Sequence, residues 1–359
     1  MSRNTNNVSF ASMLLSTLLL SSQVNATPEE FKQAYDAYNV AFKAGNTQQA
    51  AQAAQQAYDL GQHIYGETSI DTTNLGFNLA IALSNNKQHE DAAPYYEQTL
   101  EQYKKHYGED SVQLVDPLLT YADKTKDLKL AKGLLSKARK IASDSEQPIL
   151  YAHTLSASYS KLVQTKYDKK QVRKYILQAK EIYSELLPMD STVLVNSRFE
   201  SSAVYLANKK YDQAEIELLE VIKQYQMLDY SHPYELAAHA RLVTLYSQKN
   251  KAEQATEHCL AIGSMKPWSQ EQQQTPIYRV NPNYPISKAR SGVEGMVVLS
   301  FTVNEQGFVS EPEIVNSTGG KAFEDESIKV LEQWRYAPKF EDGKPVKAET
   351  RVRLDFTLG

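Results

Sequence analysis

From residue 28 to residue 265 the apolar positions recur with a helical period, interrupted at regular intervals. Pairs of small or β-branched residues seven apart set the register: Ala50 and Ala57, Ala92 and Thr99, Ala131 and Ala138, Val172 and Ala179, Ala214 and Val221, Ala255 and Ile262. Their first members are separated by 42, 39, 41, 42 and 41 residues. Seven residues span two helical turns. Each pair therefore lies on one helix face, where small side chains let a partner helix approach closely. Tyr65-Gly66-Glu67 returns as Tyr107-Gly108-Glu109, marking the junction between units. Repetition at this period predicts an α-solenoid of helix pairs, each packing on its neighbours.

Beyond residue 277 the period changes to two. Val297, Leu299, Phe301 and Val303 alternate with more polar positions, Asn304 to Gly307 form a turn, and Phe308 to Val315 return as a second strand. Pro312 has no N–H, so that strand should carry a bulge or face solvent there. After Gly319-Gly320 the acidic run Glu324, Asp325, Glu326 suits the first turn of a helix. Phe323, Ser327, Val330, Leu331 and Trp334 share one face of that helix, which Pro338 ends. In the final strand Val352, Leu354, Phe356 and Leu358 should point inward, and Arg351, Arg353, Asp355 and Thr357 outward. The pattern predicts a small α+β domain, one main helix on a three-stranded antiparallel sheet.

A chain of 359 residues suits two such domains. The expected organisation is a signal peptide over 1–26, helical repeats over 27–265, a polar linker over 266–277 containing Gln272, Gln273 and Gln274, and the α+β domain over 278–359. Arg3, a short apolar run from Val8 to Leu20 and the small-residue site Val24-Asn25-Ala26 read as a secretory signal cleaved after Ala26. The alternative is an uncleaved inner-membrane anchor. A net charge of -4 shows no basic footprint, which argues against a nucleic-acid partner. Cys259 is the single cysteine, so no internal disulfide forms, and on a helix beside Leu260 and Ile262 it reads as a small buried hydrophobe. All seven histidines lie in the helical part, with no metal-ligand spacing, and no phosphate loop or nucleophile motif occurs. Neither an enzyme, a cofactor nor a small-molecule substrate is expected.

The C-terminal stretch contains, in order, Pro282-Asn283-Tyr284-Pro285, Glu294-Gly295, an alternating strand, Gly307 and Trp334-Arg335-Tyr336-Ala337-Pro338. It resembles the C-terminal domain of the TonB family of energy transducers. The helical units resemble tetratricopeptide repeats of the longer, 42-residue kind, best at Asn74-Leu75-Gly76 with Leu79 and Ala92, and at Tyr211 to Glu215. The TonB resemblance implies that a TonB-dependent outer-membrane receptor places its TonB box beside the last strand. The implied receptor-binding residues are Asn281, Pro282, Tyr284 and Pro285, and Thr350, Arg351, Val352, Arg353, Leu354, Asp355 and Phe356. Val280 and Asn281 stand where TonB often has Gln, which bears on partner identity more than on binding mode. Read without the family, the outward strand residues equally keep a sheet edge soluble, and Tyr284 equally packs a stiff turn onto the core. The concave face of a repeat array usually binds a peptide or protein; the alternatives are a spacer or a dimer surface.

Two functions follow from the resemblance. One is a TonB-like periplasmic protein that binds receptors by strand addition and supports energised import of siderophore-type cargo, with an inner-membrane Exb-type proton-channel complex or another TonB-system component docking through the repeats. The other is a periplasmic adaptor or scaffold that docks on a receptor without transmitting force. Export with cleavage after Ala26 predicts a mature chain beginning at Thr27. Amino-terminal sequencing of the purified protein checks this, and a full-length chain resisting extraction from the inner membrane would contradict it.

Overall fold

The computed structural model describes residues 26–227, 232–265 and 275–358. The expected signal peptide up to Asn25 and linker residues 266–274 lie outside the described residues. The chain divides into two compact units, Met1–Asp127 and Leu128–Gly359.

The first unit is helical: α1 (Pro28–Lys43), α2 (Thr47–Tyr65), α3 (Ile70–Asn85), α4 (His89–Tyr107) and α5 (Val115–Lys124), with a single 3₁₀ turn before α5. Helix α1 opens on a capping box. The Thr27 hydroxyl accepts the Glu30 N–H, and the Glu30 carboxylate accepts the Thr27 N–H. Asn46 and Ser69 cap α2 and α3 in the same sense, each accepting an N–H three residues on. Connections of a few residues make successive helices antiparallel neighbours. Leu79, Ala80 and Ala82 of α3 are completely buried among them.

Seven more helices open the second unit: α6 (Leu128–Asp144), α7 (Pro148–Leu162), α8 (Lys170–Leu186), α9 (Thr192–Ala207), α10 (Tyr211–Tyr225), α11 (Pro233–Gln248) and α12 (Ala252–Met265). The pairs that set the sequence register fall on α2, α4, α6, α8, α10 and α12, and all twelve residues are buried. The small-residue stripe is thus the packing face, as the period predicts. Polar groups also enter this core. Glu217 of α10 accepts from Arg198 of α9 at 2.6 Å and pairs with Lys180 of α8 at 3.1 Å. One carboxylate joining three helices ties their register, because removing it would leave two largely buried cations without their counter-ion.

The C-terminal domain contains β1 (Pro276–Tyr278), α13 (Ile286–Arg290), β2 (Gly295–Val303), β3 (Val309–Thr318), α14 (Lys321–Leu331), β4 (Arg335–Tyr336), β5 (Lys339–Glu341), β6 (Lys344–Val346) and β7 (Ala348–Phe356). The sheet β3-β2-β7 is antiparallel throughout, while β1-β4 and β5-β6 form two small ribbons. Val297, Leu299, Phe301 and Val303 of β2 pack with Phe323, Val330, Leu331 and Trp334. The expected helix on a three-stranded sheet is therefore present. Its helix ends at Leu331, earlier than Pro338 implies, because the backbone of Arg335 and Tyr336 is taken by β1 and by Gly307. Pro276 and Ile277, read as linker, belong to that ribbon. Leu358, expected inward, lies past the end of β7 and is exposed. Gly307 sits at φ 80°, and a Cβ there would come within 2.2 Å of the Tyr336 carbonyl oxygen. That close approach explains why glycine is needed at this turn.

The domain packs on the last helices. Val243 of α11, Cys259 and Ile262 of α12, and Ala337 form one buried cluster, joined by Ile277 and Tyr278. Cys259 is the inert hydrophobe expected from its neighbours; burial pushes its thiol up to about 12. Gly263 of α12 faces Phe340 and the Pro338 carbonyl so closely that a Cβ would lie 2.7 Å from each. Gly263→Ala should therefore destabilise the second unit by about 1–3 kcal/mol through overpacking. Urea denaturation followed by circular dichroism measures this; an unchanged midpoint would show that the junction yields freely.

Candidate functional site

The two edges of the three-stranded sheet are physically unequal. β7 pairs with β2 through nine consecutive residue pairs, from Ala348 opposite Val303 to Phe356 opposite Gly295. β3 slips register between Val298 and Leu299 and again between Ser300 and Thr302. The slips leave Val315 and the Glu311-Pro312 step without partners in β2. Glu311 takes a left-handed φ of 53°, and Pro312 has no N–H to offer. Two bulges and a proline make β3 a poor template for another strand. The bulge expected at Pro312 is present, and β7 is left as the regular edge.

Which β7 groups address that edge follows from alternation. The Met296 N–H donates to Thr318 Oγ1, and the Thr302 carbonyl accepts from Ser310 Oγ, so the even-numbered residues of β2 face β3. The odd-numbered ones then face β7, with Val297 opposite Leu354 and Leu299 opposite Val352. The N–H and C=O groups of Thr350, Val352, Leu354 and Phe356 are accordingly turned toward β2, and those of Glu349, Arg351, Arg353 and Asp355 toward the open edge. Side chains follow the same parity: Thr350, Leu354 and Phe356 are buried, and Glu349, Arg351, Arg353 and Asp355 exposed. Arg353 and Asp355 form an ion pair at 2.8 Å along the strand. Both are exposed, so the pair adds little stability. Of the strand residues expected at the site, Arg351, Arg353 and Asp355 turn their backbone to the open edge and expose their side chains. Thr350, Val352, Leu354 and Phe356 lie on the inner face. Glu349 completes the edge and was missed; continuing the alternation one step back would have found it.

The segment before the sheet is clasped to the core. The Trp334 indole donates to the Val280 carbonyl at 2.8 Å, and the Arg279 guanidinium lies 5.0 Å over the same ring system. The Tyr284 hydroxyl donates to the Val293 carbonyl at 2.8 Å, while its ring meets Phe323 and Phe356 edge-on. Pro285 caps α13. Tyr284 is thus brought beside the C-terminal end of β7, in a packing role. Asn281 is exposed and Pro282 partly so; the structure gives neither a hydrogen bond to β7.

Residues 280–358 match the family model for the Gram-negative bacterial TonB protein C-terminal. Among curated relatives, Protein TonB of Vibrio cholerae serotype O1 is 28% identical over 80 residues, which are 22% of this chain and 33% of that protein. The chain thus spans about a third of that relative's length. The solution structure of the Pseudomonas aeruginosa TonB C-terminal domain shares 24% identity, covering 25% of this chain and 90% of that one, with a TM-score of 0.22. The TPR-like repeats of a Podosopora anserina protein described as a kinesin light chain share 16% identity, covering 68% of this chain and 99% of that one, with a TM-score of 0.34.

The helical part holds a pairing that spacing did not announce. His239 of α11 and His258 of α12 meet through their Nδ1 atoms at 2.8 Å, both buried, with the Tyr246 ring stacked on His258. Burial, and secondarily the charge of His258, push His239 down to about 4; burial also lowers His258. Among the described residues no group of three or more His, Cys, Asp or Glu side chains could hold a metal ion. In the TonB-type domain, Trp334→Phe should strand the Val280 carbonyl and destabilise by about 1–3 kcal/mol. Denaturant titration checks the loss, and faster amide exchange across 280–285 would localise it.

Proposed function

We propose that this is a TonB-like envelope protein whose C-terminal domain docks on outer-membrane TonB-dependent receptors by strand addition along β7. The observation that carries this reading is the uninterrupted open edge of β7, set against the twice-bulged β3. A receptor's TonB box, in extended form, gains main-chain hydrogen bonds from Glu349, Arg351, Arg353 and Asp355. Affinity then resides in the backbone, and the exposed charges tune partner choice. In this reading residues 278–359 are the docking module, and 27–265 form a protein-binding array that recruits another TonB-system component, including an Exb-type complex. The exported chain acts in the periplasm and supports energised uptake of siderophore-type cargo. The packing of the docking module on α11 and α12 favours a second reading, an adaptor that ties a receptor to whatever the repeats bind without transmitting force.

Proline substitution tests strand addition. Arg353→Pro and Asp355→Pro each remove an N–H aimed at the open edge, so both should abolish binding of a TonB-box peptide in calorimetry while the fold survives. Arg353→Ala leaves the backbone groups in place and should weaken binding only severalfold. Leu354→Pro strikes the β2 side and should unfold the domain by circular dichroism. Wild-type affinity in both edge variants, or no affinity in the wild type, would exclude strand addition at β7. Peptide binding together with a failure to restore receptor-dependent uptake in a strain lacking its transducer would select the adaptor.

A further inference from the structure

A cleft of about 450 Å³ opens where the turn between α11 and α12 meets the C-terminal domain. Its walls are Ser247 from the end of α11, Asn250 and Lys251 from the turn, and Tyr278, Phe308 and Arg335 from the domain. Arg335 is only 7% exposed, with its guanidinium stacked 3.4 Å over the Phe308 ring. Stacking leaves the edge donors of a guanidinium available, and here the buried Nη1 has no hydrogen-bond partner. The buried Ser247 hydroxyl, also on the cleft wall, has none either.

Two unsatisfied buried donors on residues that line one cleft are unusual, since such groups are normally paired. Two further positive features converge on them. Lys251 lines the cleft, and α12 begins at Ala252, also on its wall, so the free N–H groups of a helix N-terminus lie there. Glu332 on the wall brings one opposing charge. It disfavours a phosphate dianion more than a single carboxylate. Gln248, and Gln333 through its Oε1 while its Nε2 donates to the Lys329 carbonyl, add amide groups suited to a peptide bond next to that carboxylate.

We propose that this cleft binds a peptide carboxylate, with Arg335 and Ser247 as the buried donors and Lys251 and the α12 N-terminus supplying positive potential. The desolvation of Arg335 is already met in folding, so a carboxylate reaching it forms charge-assisted hydrogen bonds without removing further water from that group. Its ligand would touch both the repeat turn and the C-terminal domain and so brace the junction between them. The proposal does not depend on receptor docking at β7.

Calorimetry on the mature full chain tests it with acetyl-Ala-Ala as the free acid, its amide, and inorganic phosphate. The acid should bind at millimolar or lower concentration and raise the melting temperature, the amide should bind at least about tenfold more weakly, and phosphate should compete poorly. Arg335→Gln should cost the acid about tenfold or more in affinity, and Lys251→Gln severalfold. Should Arg335→Gln fail to fold by circular dichroism, Lys251→Gln and the acid–amide comparison decide the matter. Equal binding of acid and amide, tighter binding of phosphate, or no acid binding by the folded wild type would overturn the assignment and leave the cleft to water.

Discussion

Strand β2 is the constraint on which the C-terminal domain depends. Its odd-numbered side chains fill the core against α14 and Trp334, so its backbone runs through the middle of the structure. Buried backbone groups must be hydrogen-bonded, and β2 meets this demand by pairing on both sides, with β3 and β7. Three strands with the apolar one in the centre leave two edges. The domain treats them differently: bulges and Pro312 interrupt β3, and β7 keeps a straight ladder. The same parity that buries Leu354 and Phe356 turns the backbone of Arg353 and Asp355 outward. Core packing and the availability of the edge are therefore one geometric fact.

The helical part solves a different problem. Helices approach closely only where side chains are small, and the buried alanines on α2, α4, α6, α8, α10 and α12 supply such a face within each unit. The same device continues at the junction with the C-terminal domain. Gly263 and Cys259 present little volume, and Ala337 and Phe340 close on them. Contacts of the last two helices with β1, β5 and β6 make this joint. Movement of the domain against the helices would have to expose that cluster, so the joint favours the two moving together.

Several polar groups inside this scaffold have specific partners. Glu217 is satisfied by two cations from neighbouring helices, and His239 and His258 are satisfied between their own rings on one side. Arg335 and Ser247 each keep a buried donor without a partner, and both residues line one cleft. A satisfied buried group specifies register.

Much of this was legible in the residues alone. A period of 3.6 with a repeat near 41 residues, and then a period of two, determined the helix pairs, the strands and the inward faces, because periodicity is a local consequence of backbone geometry. Turn chemistry at Gly307 and the bulge at Pro312 were legible for the same reason. The early end of α14 was not, since the backbone of Arg335 and Tyr336 is claimed by β1, some sixty residues earlier in the chain. Nor was the meeting of His239 with His258, the burial of Arg335, or which neighbour leaves β7 with an open edge. Each depends on partners distant in sequence, and local pattern contains no information about which neighbour a strand or helix will find. The sequence by itself determined the elements and their apolar faces. The tertiary structure decided which hydrogen-bonding groups those elements left unpaired.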